Sequence, residues 1–171
     1  MELVLGYDFP EEIRSLFTEY TTMLVEMEPA FQEYLDIQHY DDEVLDVTVK
    51  YGLPHGRLYL ARIGKEIVGC IALRRLNDSE CELKRLYVRP AWRRQGIAAR
   101  LIDQILSDAR SIGYKRILLD TLPGLTVAIA MYRDLGFQDI PRYNDSPLDA
   151  PVTILQSCTV SLSCYTTTRS I

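Results

Sequence analysis

Val88-Arg89-Pro90-Ala91-Trp92-Arg93-Arg94-Gln95-Gly96-Ile97-Ala98-Ala99-Arg100-Leu101 joins the end of an apolar, strand-like segment to the start of a helix-like one through an arginine-rich loop. Backbone N–H groups in the first turn of a helix have no intrahelical acceptor and point along its axis. With the positive end of the helix dipole they form a cradle for phosphate. Gly96 lets the main chain approach an anion closely, and small Ala98 leaves room beside it. Arg93 and Arg94 add charge and bidentate contacts. A solvated basic loop capping an ordinary helix fits the same spacing equally well.

Upstream of this loop the pattern is β. Leu58–Ile63 and Glu66–Leu73 flank Gly64-Lys65, a hairpin signal, and Asn77-Asp78-Ser79 turns the chain into Cys81–Val88. Three antiparallel strands in a meander are expected. Downstream, Ile97, Leu101, Ile102, Ile105, Leu106 and Ala109 mark a helix closed by Gly113. Ile117-Leu118-Leu119 is a short strand whose helix-flanked position implies a parallel partner. Ala128–Leu135 reads as another helix, 141–151 as a loop and Val152–Leu155 as a last strand, with a weakly patterned tail over 157–171.

Nearer the start, Leu3–Gly6 reads as a strand. Asp8-Phe9-Pro10-Glu11 reads as a helix start, with Asp8 as cap and Glu11 at the capping-box position. Ile13, Leu16, Phe17, Tyr20, Leu24 and Met27 form one apolar stripe, and a second helical stretch covers roughly 31–51.

The chain has 171 residues, 47% of them hydrophobic and 25% charged. That length predicts one domain, residues 1–171, able to bury a core without metal or disulfide staples. No apolar run reaches membrane-span length and the N-terminus shows no signal-peptide pattern, so a cytoplasmic protein with no membrane partner is expected.

The formal net charge is −5, but its distribution is uneven. Residues 1–50 hold thirteen acids against Arg14 and Lys50, whereas 84–100 hold Lys84, Arg85, Arg89, Arg93, Arg94 and Arg100 and no acid. A nucleic-acid binder would show a broad basic face. A short cationic stretch in an acidic chain suits a compact anion instead. Cys70 and Cys81 read as buried thiols. With Cys158, Cys164, His39 and His55 they give neither metal-ligand spacing nor a nucleophile motif, so no metal is expected.

Arg93-x-x-Gly96-x-Ala98 between a strand and a helix resembles the signature of the GNAT superfamily of acyl-CoA-dependent N-acetyltransferases. Leu86-Tyr87-Val88-Arg89-Pro90 resembles the frame that precedes it. Ala128-Ile129-Ala130-Met131-Tyr132-Arg133-Asp134-Leu135-Gly136-Phe137 resembles a second block of that family, and the likeness covers roughly 57–137. It implies an α/β (α+β) fold with a mixed, mostly antiparallel sheet, a splayed parallel strand pair and about four flanking helices. Acetyl-CoA would enter the splay as co-substrate. Its pyrophosphate would lie on main-chain amides of Arg93, Arg94, Gln95, Gly96, Ile97 and Ala98, and its pantetheine arm along Leu86, Tyr87 and Val88. An N–H near Leu86 would stabilise the oxyanion.

The same resemblance makes Tyr132 the proton donor to the departing CoA thiolate, a role open to a phenol of ordinary pKa about 10. Glu82, on the strand leading to the acyl site, is the candidate base. Strand alternation puts Glu82, Lys84 and Leu86 on one face unless a bulge intervenes, and a bulge is expected. A solvent-facing glutamate paired with Lys84 or Arg75 is the plainer expectation. Where many relatives carry an asparagine, seven residues before the tyrosine, this chain has Leu125. The implied activity is acetyl transfer to a small-molecule or peptide primary amine by direct attack in a ternary complex. A non-catalytic acyl-CoA-binding module of the same fold is the alternative. The acid-rich first fifty residues hint at a cationic acceptor, and the sequence is silent on whether the chain forms a homodimer.

Overall fold

The structure is a computed structural model that describes residues 1–37 and 39–140 and the backbone of 158–161. Its centre is the expected meander: β2 (Arg57–Ile63), β3 (Glu66–Arg75) and β4 (Glu80–Val88). β1 (Glu2–Leu5) pairs antiparallel with β2. β5 (Arg116–Leu119) pairs parallel with β4, as its position between helices required. β6 (Gln138–Asp139) and β7 (Cys158–Ser161) complete the order β1-β2-β3-β4-β5-β7-β6. β7 begins within the stretch expected to be a tail. The strand expected over Val152–Leu155 lies outside the described residues.

Six α-helices cover the sheet among the described residues: α1 (Pro10–Met27), α2 (Phe31–Ile37), α3 (Tyr40–Leu45), α4 (Val47–Tyr51), α5 (Ile97–Ile112) and α6 (Thr126–Asp134). The single stretch expected over 31–51 is therefore three short helices. His39 takes φ 52° before α3, and extended Asp46 separates α3 from α4, where its side chain accepts the Thr48 N–H at 2.9 Å. The start of α1 also differs from expectation. Gly6–Asp8 coils into a 3-10 turn, so Phe9 becomes the cap and no side chain caps the helix. Pro10 in the first turn has no N–H to satisfy.

α5 carries the strongest apolar stripe: Ile97, Leu101, Ile102, Ile105, Leu106 and Ala109 are all buried. They pack with Val68, Ile71, Leu73, Cys81, Leu83, Val88, Ile117 and Leu119 from the strands. The helix stops at Gly113, whose φ of 104° brings its N–H back to the Ala109 and Arg110 carbonyls. On the opposite face α1 buries Ile13, Leu16 and Phe17 against Leu58, Leu60, Cys70 and Ala72. The last turn of α1 departs from the stripe, since Met27 is 42% exposed.

Candidate functional site

Pairing of β4 with β5 ends at Leu83 opposite Leu119, although β4 runs on to Val88. From that point the two strands part. A cleft of about 660 Å³ occupies the gap, walled by α1 and α2 on one side, α6 on another and the start of α5 at one end.

The expected bulge lies at the split. Cys70 pairs with Tyr87 and Ala72 with Lys84, so Arg85 and Leu86 share the single residue Ile71, and Arg85 takes φ 56°. Its side chain turns under α1 and α3. There the guanidinium Nε donates to Glu43 Oε1 at 2.6 Å. Glu43, 2% exposed, also receives Lys50 at 2.8 Å and the Tyr51 hydroxyl at 2.7 Å. These donors, Arg85 above all, hold its carboxyl down at about 2 against the desolvation that would raise it. Arg85 Nη2 is buried without a hydrogen-bond partner. The Phe17 and Tyr40 rings, 5.5 and 5.2 Å from the guanidinium carbon, stand in for the missing acceptor.

At the cofactor end, Gly96 sits at φ 77° as the cap of α5, and no side chain caps the first turn. A Cβ built on Gly96 would meet nothing within 4 Å, so the approach to the helix start is open. This matches the requirement for a main-chain anion cradle. Arg94 is also left-handed, at φ 65°. Leu86, Tyr87, Val88, Arg93, Arg94, Gly96, Ile97 and Ala98 all line the cleft; Gln95 is exposed and does not. Arg93 is a brace as well as a charge. Its Nε donates to the Val88 carbonyl at 2.9 Å, and its guanidinium lies 5.8 Å from the Tyr87 ring centre. Arg89 clamps the same segment to α1 through Glu19 (2.7 Å) and to the Ile67 carbonyl (2.8 Å).

Tyr132, on α6, is buried against Phe137 and lines the cleft. Glu82 does not line it. The glutamate expected to face solvent is 0% exposed and pairs with Arg74 and, at 3.7 Å, with Lys84; Arg75 pairs with Asp78 instead. The register of β4 before the bulge turns Glu82 inward, where only cations make it tolerable. Burial pushes the Lys84 ammonium below its ordinary range, with Glu82 and Asp120 opposing.

Asp120 and Tyr34, which line the cleft and bond to each other, were not singled out in the sequence. Asp120 follows β5 directly, and the Tyr34 hydroxyl from α2 donates to it at 3.2 Å. The position of Asp120, just past a short apolar parallel strand, was a signal available beforehand, since ligands collect at the carboxyl ends of such strands. Tyr34 carried none.

The family model for the acetyltransferase (GNAT) family matches residues 11–137. The chain belongs to the GNAT family. An uncharacterised N-acetyltransferase from Schizosaccharomyces pombe is 35% identical over 126 residues, 68% of this chain and 77% of that protein. Among solved structures, a GNAT acetyltransferase from Elizabethkingia anophelis with acetyl-CoA bound is 26% identical, with TM-score 0.55 over 62% of this chain and 76% of its own. A GNAT acetyltransferase from Staphylococcus aureus superposes at TM-score 0.70 over 94% of this chain and 98% of its own; at 21% identity it speaks for the fold alone. The GNAT architecture expected from the two motifs is thus the observed one: a mixed sheet whose parallel pair, β4 with β5, splays open. Among the described residues, no helix is long and apolar enough to cross a membrane.

Proposed function

We propose that residues 1–171 form one catalytic domain that moves an acetyl group from acetyl-CoA to a primary amine by direct attack in a ternary complex. The observation that carries this reading is the placement of Tyr132 on the same cleft as the open start of α5 and the edge of β4 that, among the described residues, has no strand beside it. In this reading the pyrophosphate rests on the amides of residues 93–98, and the pantetheine amides pair along Leu86–Val88. The bulge that Arg85 and Glu43 hold turns a β4 N–H toward the thioester oxygen, where a fixed donor stabilises the charge that develops there. The amine nitrogen bonds to the thioester carbon, the C–S bond breaks, and Tyr132 gives its proton to the leaving sulfur. The amine loses its own proton to water. Glu82, already holding two cations, keeps Lys84 in place beside that path.

The test pairs two measurements on the full chain. Acetyl-CoA should raise the melting temperature by mass action, and Tyr132→Phe should lower turnover roughly 100-fold while acetyl-CoA affinity stays as it was. Binding without turnover of any amine by the parent protein would leave a non-catalytic acyl-CoA module. No thermal response to acetyl-CoA at millimolar concentration would remove the whole reading.

A further inference from the structure

None of the thirteen acids among the first fifty residues lines the cleft. The charged groups at the split are committed to one another. Asp120 accepts the Tyr34 hydroxyl and acts with Glu82 on Lys84, and Arg85 is held by Glu43. The Tyr87 hydroxyl donates to Glu19 at 3.4 Å. Tyr20 is different. It comes from the middle of α1 and lines the cleft, and its hydroxyl has no hydrogen-bond partner among the described residues. Its ring is held in place, packed against the apolar residues under α1 and those of the cleft wall and lying 5.8 Å from the Tyr87 ring at 45°. Arg85 in the bulge, Cys70 beside it on β3 and Asp120 past the end of β5 all act electrostatically on the hydroxyl, which places it between the parted strands. Thr121 and Thr126 also line the cleft, but they stand beyond β5 and on α6. A desolvated hydroxyl left without a partner costs stability, and a ligand that donates to it removes that cost.

We propose that Tyr20 is the amine-binding residue of the site: its oxygen accepts, from the incoming primary amine, the N–H that remains in the amide product. The proposal rests on the acetyl-transfer reading above and deepens it. A neutral primary amine carries two hydrogens on nitrogen. Its lone pair goes to the thioester carbon, one proton leaves to water as the C–S bond breaks, and the other hydrogen stays on nitrogen. Burial pushes the Tyr20 phenol up to about 12, so it keeps its own proton and cannot take the departing one. Its oxygen can hold the remaining N–H, which fixes the direction of the lone pair. A secondary amine has no hydrogen to spare for that contact.

The experiment follows CoA thiol release by the full chain with phenethylamine, hexylamine and glycinamide, each beside its N-methyl counterpart. Acetyl-CoA affinity by calorimetry and the melting temperature are measured alongside. Tyr20→Phe keeps the ring and deletes one oxygen. It should lower kcat/KM for the primary amines about three- to tenfold and leave the N-methyl amines within about twofold, so the preference for primary amines shrinks by the same factor. The loss should be constant between about pH 6.5 and about 9, because the phenol does not titrate there. Acetyl-CoA affinity should stay as it was, and the melting temperature should not fall, since the hydroxyl bonds to nothing in the described protein. An equal loss for primary and N-methyl amines overturns the proposal, as does no loss for the primary ones or a loss that changes with pH. Acetyl-CoA binding by the parent with no amine turned over overturns it too and leaves the cofactor reading standing. Failure to bind acetyl-CoA takes both down.

Discussion

On one face of the sheet α5 buries Ile97, Leu101, Ile102, Ile105 and Leu106 against strand side chains that are just as apolar. On the other, α1 to α4 close over Phe17, Leu58 and Leu60 but also over Glu43, Glu82 and Arg85, each 5% exposed or less. The first face is held by contact area, which is non-directional. The second adds a polar layer in which every charge needs its partner in place, and it is the face whose helices wall the cleft. The contrast separates what the fold needs to exist from what it needs to hold one strand in an irregular shape.

The largest effect should come from breaking the polar layer. Glu43→Ala strands Arg85 and should destabilise the fold by roughly 3–5 kcal/mol in chemical denaturation. The pair Glu43→Leu with Arg85→Met should recover most of that loss, because both charges then leave together. A single variant no worse than a surface substitution would erase the contrast. Leu101→Ala on the α5 face should cost roughly 2–5 kcal/mol, with no partner substitution able to restore it.

Acid sharpens the same contrast. The Glu43 carboxyl titrates at about 2 in the fold and near 4.5 when unpaired. Its contribution is therefore complete above about pH 4.5 and is lost progressively as pH falls toward 2. The parent should lose stability over that window faster than Glu43→Gln does. Parallel profiles would mean that the carboxylate is not the linked group. The smallest effect belongs to the half-buried clamp: Glu19→Gln, whose partner Arg89 is 33% exposed on its side chain, should cost about 1 kcal/mol and less in high salt.

What the sequence disclosed follows the same division. The α5 stripe, the meander and the parallel β5 were legible because apolar periodicity and turn residues report on main-chain geometry and burial. The phosphate-type loop was legible because Gly96 and the helix behind it make a local feature. The polar layer was not, because Glu43 and Arg85 lie 42 residues apart and neither has a pattern of its own. Glu82 misled for a related reason: alternation cannot say which face of β4 is covered once Arg85 adds a residue to the strand. The single helix expected over 31–51 failed because its periodicity survives the breaks at His39 and Asp46 while its main chain does not.

The parting of β4 from β5 leaves something else in the middle of the molecule. From Lys84 to Val88 one side of β4 has no strand beside it among the described residues, although the sheet continues beyond β5. It is an edge placed inside a sheet. Exposed edges invite other chains to add themselves and aggregate, and proteins blunt them with lysines, prolines or bulges. This one carries a bulge and is recessed between helices. A slim chain bearing its own amide groups could still lie there and take up the pairing. The bulge and helices that blunt this edge thus also border what the cleft admits.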